Sequence, residues 1–357
     1  MTKYLSINFW LFLPAVLICS LSISVLLSLN SDLARTQTFY VLLGITAFFI
    51  FSNIKIDLLD FFKFYIYAGN TALLIITHLF AESVRGSARW LSLGPFNLQP
   101  SEIAKLTIIL TLSGYLASYK KEKMDIKGIL FSLAMFLPLF AAVLWQPDLG
   151  TALTFVAIYV VMLFIRRFEL KYALIAFLAF GLFSNIIWHS LAPYQQQRIL
   201  VFTNPNLDPL KAGYNVLQSK IAVGSGMFFG KGFGHGTQSK LRYLPEFHTD
   251  FMFASYSEEW GFVGVLVLLL FYSILLGSII KVIEKTKTTH ETLICVGVFA
   301  MLIFQIFVNI GMNLGIMPVT GIPLPMMSYG GSSMLLTFSC LGIVNSIYNQ
   351  RKYNYEF

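Results

Sequence analysis

Five titratable side chains lie close together in the stretch LRYLPEFHTDFMFASYSEEWGFVG, residues 241–264. They are Glu246, His248, Asp250, Glu258 and Glu259, and a long apolar run follows them. Carboxylates and imidazoles are common general acids and bases, although an Asp at a helix start is by default an N-cap. An ionised carboxylate deeper in an apolar span is costly unless it is paired or wet. The stretch therefore predicts a polar cavity at the mouth of an apolar helix, with Asp250 at its edge.

A second group of candidate residues lies in LQPSEIAKL, residues 98–106. Ser101 and Glu102 suit a helix start, and Lys105 then falls about one turn into an apolar span. A lysine there must reach back to water, pair with Glu102 or bind an anion. Because Arg85 and Arg89 lie just upstream, we favour anion binding.

Two further motifs place polar residues at the ends of apolar runs. In WQPDLGTALT, residues 145–154, Asp148 is either a helix cap or a contact to a cation or substrate headgroup, and both interpretations stay open. In VTGIPLPMMSYGGSSM, residues 319–334, the prolines and glycines predict an irregular segment. Such backbone at membrane depth must be buried in protein or line a cavity. Ser328 and Tyr329 are its candidate polar contacts.

The glycine-rich run GSGMFFGKGFGHG, residues 224–236, is not a nucleotide-binding P-loop. Its spacing to Lys231 is one residue short, and Gly232 replaces the required Ser or Thr. Either the run is a flexible turn, or its amides and Lys231 face an anionic headgroup.

These motifs belong to a chain of 357 residues that is 57% hydrophobic and only 12% charged, well below the roughly 25% charged residues of soluble domains. Apolar runs long enough to cross a membrane are centred near residues 18, 45, 70, 110, 136, 158, 180, 266, 302 and 338. We therefore predict an all-α polytopic membrane protein with ten transmembrane helices, in which residues 1–357 form a single membrane domain. The three cysteines lie in apolar runs and predict neither a disulfide nor a metal site.

The basic excess of the chain follows membrane topology. If Lys3 lies in the cytoplasm and the loops alternate, fifteen of the 25 Lys and Arg residues fall on the cytoplasmic side, in line with the positive-inside rule. We therefore expect both termini in the cytoplasm, a retained first span and no nucleic-acid partner.

Two segments on the opposite side are longer than ordinary connections. Residues 82–106 carry Trp90, Pro95 and Pro100 between charges and predict an interfacial turn or a short amphipathic helix. The loop of about residues 192–249, between the seventh and eighth spans, is too long for a plain connection. Its aromatic and aliphatic content predicts an ordered extracytoplasmic feature lying on the membrane.

Several blocks, in order along essentially the full chain, resemble the SEDS proteins (shape, elongation, division and sporulation). They are GSARWLSLGPFNLQPSEIAKL, QPDLGTAL, NPNLDPLKAGYNVLQSKIAVGSG, GKGFGHGTQSKLRYLPEFHTDF and GIPLPMMSYGGSSM. HGTQS before LPEFHTDF is more similar to the RodA elongation branch than to the FtsW division branch. The resemblance implies a peptidoglycan glycosyltransferase that polymerises lipid II on the outer face of the bacterial cytoplasmic membrane. It also implies a class B penicillin-binding protein transpeptidase and other elongation-complex membrane proteins as partners.

The resemblance assigns the family's essential outer-loop aspartate to Asp250, and two basic residues to Lys105 and Arg89. Two positions depart from the family pattern. Asn97 stands where many members carry arginine, and Arg242 stands where many carry glutamate. These departures leave open which side chains hold the diphosphate.

A lipid II polymerase needs a lipid-accessible groove, a cationic grip on diphosphate and a base for a sugar hydroxyl. We expect Asp250 to accept the proton of the acceptor's GlcNAc 4-hydroxyl. Because diphosphate is already a good leaving group, the second acid of glycosidases is not required. The expected diphosphate ligands are Lys105, Arg89, Arg198 and Lys220, with or without a divalent cation such as Mg²⁺ or Mn²⁺. The expected supporting or cavity residues are Glu102, Asp148, Glu246, His248, Thr249 and Ser328.

Other functions fit the same cavity. A flippase of lipid-linked precursors would use the diphosphate grip without a base, and a scaffold that only recruits a transpeptidase would need neither. A division or sporulation paralogue would share the polymerase chemistry.

Overall fold

The structure is a computed structural model that describes residues 6–80, 89–93, 96–204, 212–241 and 243–352. Within these ranges the chain is almost entirely helical, as predicted. The helices are α1 Phe9–Leu29, α2 Ser31–Asn53, α3 Ile56–Phe80, α4 Pro100–Ser118, α5 Ile126–Trp145, α6 Leu149–Ile165, α7 Leu170–Ser190, α8 Pro193–Thr203, α9 Ala212–Ser225, α10 Thr237–Lys240, α11 Met252–Glu284, α12 Thr289–Leu314 and α13 Gly331–Lys352. The strands are β1 Leu91–Leu93 and β2 Phe96–Leu98.

Seven helices of the described part are long and apolar enough to cross a membrane: α1, α2, α3, α5, α11, α12 and α13. Helix α6 is also apolar but shorter. Each of the ten predicted centres falls inside a helix, the other two being α4 and α7. The membrane-protein class is therefore confirmed, and the count of ten spans stays a prediction.

Local sequence signals set the starts of several helices. Asn30 caps α2 by accepting hydrogen bonds from the amides of Asp32 and Leu33 at 2.9 and 3.3 Å. Asp125 caps α5 through the Gly128 amide at 3.0 Å. Asn and Asp are favoured at this position because the side-chain oxygen satisfies an orphan helix amide.

Helices pack closely where small residues allow it. Helix α13 lies along α2, and a Cβ placed on Gly342 would come within 2.7 Å of the Phe48 carbonyl oxygen. Helix α4 lies in the interior between α3, α6 and α12, and most of its side chains are buried. Small residues at such contacts are the usual means of helix association in membranes.

The bundle has two ends, which we call the upper and lower faces. Ser28, near the end of α1, donates a hydrogen bond to Glu259, near the start of α11. The upper face is the end that holds this contact and Asp250. The lower face holds the start of α1 and the end of α11, and it also holds the Ser6–Asn349 hydrogen bond of 2.6 Å.

One of the two alternatives predicted for the 82–106 segment was wrong. Residues 91–93 and 96–98 form an antiparallel ribbon in which Leu91 pairs with Leu98 and Leu93 with Phe96, rather than an amphipathic helix. The alternating apolar and polar residues on both sides of a Gly-Pro dipeptide are a hairpin signal. The described part of the chain remains mostly helical, and the ribbon adds only two strands of three residues each.

The described parts of the loop at residues 192–249 contain α8, α9 and α10. Helix α11 has a non-helical break at Gly261, with φ 63° and ψ −165°. The loop backbone forms hydrogen bonds with α11 on both sides of this break. The Lys231 amide donates to the Glu258 carbonyl at 3.0 Å, and the Phe262 amide donates to the Met227 carbonyl at 2.9 Å. Backbone groups freed by the break are thereby satisfied, which a membrane-level break requires.

Candidate functional site

Asp250 stands on the upper face, one residue before Phe251, the N-cap of α11. Its side chain is half-buried. Its backbone carbonyl accepts hydrogen bonds from the side-chain amides of Asn309 and Asn313, at 3.2 and 3.1 Å. The N-cap role considered for Asp250 thus falls to its neighbour, while α12 holds the Asp250 backbone.

The two asparagines of α12 join three parts of the chain. The Asn309 side-chain amide also donates to the Ile322 carbonyl at 2.8 Å. The side-chain oxygen of Asn313, Oδ1, accepts from the Ala254 backbone amide at 3.1 Å. Both asparagines are fully buried. Buried amides with several partners fix backbone positions strongly, because each lost bond leaves a desolvated polar group.

The residues just before Asp250 rest on the irregular segment between α12 and α13. The Ser328 hydroxyl donates to the Thr249 carbonyl at 2.7 Å, and the Tyr329 amide donates to the His248 carbonyl at 2.8 Å. Thr249 also donates to the Glu246 carboxylate at 3.2 Å. Glu246, His248, Thr249 and Ser328 are therefore linked by hydrogen bonds in the stretch of chain next to Asp250.

Tyr329 adds a polar group that stays neutral. Burial, together with the neighbouring Tyr40, raises the pKa of Tyr329 to about 12. Its ring lies 5.5 Å from the His248 ring. The phenol therefore keeps its proton at physiological pH.

Arg198 and Asp250 meet at Gly321, in the segment between α12 and α13. A Cβ placed on Gly321 would lie 3.7 Å from Arg198 Nη1 and 3.7 Å from Asp250 Oδ2. The two atoms are therefore no further apart than twice that distance. Gly321 has φ +76°, a left-handed conformation that favours glycine. Of the predicted diphosphate ligands, Arg198 is the one that the structure brings to Asp250.

Asp148, at the start of α6, organises a second cluster of polar side chains. It caps α6 through the Thr151 amide at 3.2 Å, and its carboxylate accepts from Gln99 at 3.0 Å and Ser101 at 3.2 Å. Arg89 Nη1 lies 3.9 Å from this carboxylate. The capping interpretation is therefore confirmed, and Arg89 stands beside Asp148.

The first turn of α6 packs against the neighbours of Gly321. A Cβ on Gly150 would lie 2.8 Å from the Thr320 carbonyl oxygen and 2.9 Å from Ile322 Cγ1. Residues 320–322 thus separate the Asp148 and Arg89 cluster from the Arg198 and Asp250 pair. Two cations and two carboxylates adjoin one short stretch of backbone.

Lys105 and Glu102 form an internal ion pair. Lys105 Nζ lies 2.6 Å from Glu102 Oε1, and the side chains are only 1% and 3% exposed. The Glu102 Oε2 atom is buried and has no hydrogen-bond partner within the described residues. The structure thus realises the pairing alternative for Lys105, and contact with a diphosphate would require this site to open.

Lys220, on α9, reaches the end of α12 at Gly315. A Cβ on Gly315, where α12 ends, would lie 1.8 Å from Lys220 Cε and 2.6 Å from its Nζ. A cation at a helix C-terminus is favourable because the carbonyl ends are partially negative. This placement gives Lys220 a structural role six residues before Gly321.

Glu258 and Glu259 are paired apart from Asp250. Glu258 is fully buried and accepts from Lys231 Nζ at 2.7 Å and from the Gln238 amide at 3.0 Å. Glu259 accepts from Ser28. Lys231 therefore neutralises an internal acid. The described groups also include no set of three or more His, Cys, Asp or Glu residues arranged to hold a metal.

Two predicted residues lie outside the described ranges, namely Arg85 and Arg242. Asn97, the other departure from the family pattern, has an exposed side chain, and its carbonyl accepts from Ser332 at 2.8 Å. The ribbon is thereby tied to the start of α13.

The model of the FtsW, RodA and SpoVE family, described as cell cycle proteins, matches residues 2–353. The chain belongs to this family. It is 39% identical over 290 residues to the peptidoglycan glycosyltransferase MrdB of Escherichia coli K12, covering 81% of this chain and 78% of MrdB. The sequence-based recognition is therefore confirmed.

Solved structures of the FtsW, RodA and SpoVE type share the fold. A chain from a study of how a peptidoglycan synthase complex coordinates polymerization and crosslinking has a TM-score of 0.83 and 30% identity, covering 98% of this chain and 99% of that one. RodA of Thermus thermophilus has a TM-score of 0.74 and 28% identity, with the same coverage. This member of the family is thus a multi-pass membrane protein.

The sequence analysis missed several residues that build the site in this family member. Asn309, Asn313 and Gly321 were not singled out. The signal for the asparagines was present, because FVNIGMN places two amides four residues apart on one face of an apolar helix. Gly321 carried no such signal, since its role depends on two distant side chains.

Proposed function

We propose that this chain polymerises lipid II into peptidoglycan glycan strands during cell elongation, with Asp250 as its general base. The observation that carries the proposal is the meeting of Asp250 Oδ2 and Arg198 Nη1 at Gly321. The relatedness to E. coli MrdB supports the activity, and the fixed backbone of Asp250 supports its role as base.

In the proposed reaction two lipid-linked disaccharides bind on the upper face. Asp250 accepts the proton of the acceptor's GlcNAc 4-hydroxyl as that oxygen attacks the anomeric carbon of the donor. A new glycosidic bond forms, the bond to the diphosphate oxygen breaks, and undecaprenyl diphosphate leaves with the electron pair. Attack opposite the leaving group inverts the anomeric centre.

Cations stabilise the charge that develops on the departing diphosphate. Arg198 is assigned the nearest position because it reaches Gly321 with Asp250. Arg89, held beside Asp148, is the second candidate. Lys220 would act only from the far end of the segment, and Lys105 only after its pair with Glu102 opens. A divalent cation, Mg²⁺ or Mn²⁺, would need ligands from the substrate diphosphate in addition to the carboxylates of the protein.

The proposed setting is the bacterial cytoplasmic membrane. Ten helices would span it, with the upper face outside and both termini in the cytoplasm, as the distribution of Lys and Arg requires. The proposed partners are a class B penicillin-binding protein and other elongation-complex membrane proteins.

The test is polymerisation of fluorescent lipid II by the purified full chain, alone and with a class B penicillin-binding protein. Asp250→Asn is expected to abolish glycan ladders, because an amide cannot accept the proton. The matched control is Asp32→Asn, which removes an exposed acid at the start of α2 and should leave the ladders intact.

Three results would contradict the proposal. Ladders that persist in Asp250→Asn would remove the base. Transfer of labelled lipid II across a vesicle bilayer without ladders would instead favour the flippase, and harmless charge changes at Asp250 in a folded protein would favour the scaffold.

A further inference from the structure

A groove of about 350 Å³ opens on the lower face, between α1 and α11. Its lining residues are Trp10, Ser273, Ile274, Gly277, Ser278 and Lys281. Trp10 lies in the first turn of α1 and Lys281 in the last turn of α11. The groove is therefore at the opposite end of the bundle from Asp250, and its volume is within the range of small-molecule sites, about 300–1,000 Å³.

The floor of the groove is a strip of small residues. Ser273 and Gly277 are four residues apart and share one face of α11. A Cβ on Gly277 would meet no atom within 4 Å, so the groove is open above it. The Ser273 hydroxyl is used by its own helix, through the Leu269 carbonyl at 2.7 Å. The strip is thus narrow and mainly apolar, which suits a hydrocarbon chain.

One end of the groove is cationic. Lys281 is exposed and makes no ion pair or hydrogen bond within the described part of the chain. Trp10, beside it, is 61% exposed. Lysine heads extend to the membrane surface, and tryptophan is enriched at the headgroup level. The last turn of α11 and its cap also carry Lys285 against a single acid, Glu284, so this end attracts anions.

We propose that this groove binds an anionic phospholipid of the leaflet on the lower face. The lipid phosphate contacts Lys281, one acyl chain lies over Gly277, and Trp10 packs at the glycerol level. The proposal does not depend on the activity assigned to Asp250.

The same strip of small residues could receive a transmembrane helix of another protein, because small residues four apart are a common helix-packing motif. The cation and the interfacial tryptophan at one end favour a lipid, since an apolar helix offers no anionic group to pair with the lysine and no headgroup region for the tryptophan. A phospholipid matches the charge, the aromatic ring and the apolar floor together.

The test is quenching of tryptophan fluorescence by brominated lipids. The full chain in detergent micelles is titrated with brominated phosphatidylglycerol or brominated phosphatidylcholine, and the Trp10 signal is the difference from Trp10→Phe. Phosphatidylglycerol is expected to reach half-maximal quenching of Trp10 at a lipid fraction at least threefold lower. Lys281→Gln should remove this difference, and the matched control Lys127→Gln, at an exposed lysine of α5, should preserve it.

A second pair of variants tests the floor. Gly277→Leu should abolish saturable quenching by both lipids, whereas Gly69→Leu, at an equally open glycine of α3, should leave it unchanged. If Gly277→Leu loses its melting transition, Gly277→Ser should still weaken the quenching.

Equal curves for the two lipids, or equal effects of the two lysine variants, would show an unselective lipid shell and overturn the proposal. Quenching of Trp10 by neither lipid would also overturn it and favour a packed helix from another protein.

Discussion

Arg198 and Asp250 both reach the glycine at position 321, each at 3.7 Å from where a methyl group on that residue would lie. A cation and a proton acceptor are thus held near one point of backbone. In the proposed reaction the two must act on different atoms of the same transition state, the diphosphate oxygen and the attacking hydroxyl. Their proximity to one point of backbone would let both act on the same bound substrate.

Replacing Arg198 should slow polymerisation without unfolding the protein. Arg198→Ala is expected to lower kcat about 10²-fold, which is typical of losing one donor to a developing anion. Arg198→Lys should restore part of the rate, because it returns the charge but not the planar fork. Arg35→Ala, at an exposed arginine of α2, is the control. An unchanged rate of ladder formation in Arg198→Ala would contradict the assignment.

Adding a methyl group to Gly321 should act through the backbone. The new contacts would be ordinary at 3.7 Å, but φ +76° is unfavourable for alanine, at a cost of about 1–2 kcal/mol. Gly321→Ala should therefore lower the melting temperature in detergent and reduce the polymerisation rate. Gly330→Ala, in the same segment with open space around it, serves as the comparison. Equal melting temperatures for the two variants would show that Gly321 is not strained.

The asparagines of α12 should affect turnover more than substrate affinity. Asn313→Ala removes a donor from the Asp250 carbonyl, and a buried group left unsatisfied costs about 1–3 kcal/mol. We expect kcat to fall several-fold while KM for lipid II stays constant, because the base is displaced and the substrate site is not. Asn53→Ala, whose amide bonds only within its own helix, should change neither. A loss of stability with an unchanged kcat would make Asn313 purely structural.

Glu102 and Lys105 can be tested as a pair. Either Glu102→Gln or Lys105→Met alone leaves a buried charge without its partner and should destabilise the protein by about 3–5 kcal/mol. The double variant removes both charges and should recover most of the melting temperature. If that folded double variant still makes ladders, Lys105 is structural. If it is inactive, Lys105 binds substrate as the sequence predicted.

The helical architecture could be predicted because each span is a local property of about 20 residues. The apolar composition of the runs around Ile18, Phe136 and Leu302 predicts a helix at each, and each run lies in a helix of the structure. Asp250 could be singled out because it stands directly before such a run and because the family resemblance assigns the essential aspartate to this position. Asp148 could be recognised as a cap because its partner Thr151 is three residues away.

The rest of the site depends on residues far apart in sequence. The contact of Arg198 with Gly321 spans more than a hundred positions, and Gly150 meets Thr320 across a similar gap. No periodicity or motif encodes such distances. Lys105 illustrates the opposite limit, because its partner Glu102 was visible in the sequence but its burial was not.

The break in α11 has a mechanical consequence. The amides of Lys231 and Gly232 bond to the carbonyls before Gly261, while the amides of Phe262 and Val263 after it bond back to the same loop segment. That segment acts as a splint, and stiffness across the joint comes from the loop rather than from the helix. A peptide bond cut within this loop segment would leave α11 chemically intact, and we expect it to loosen the joint at Gly261, which separates the main part of α11 from the short part that follows Asp250.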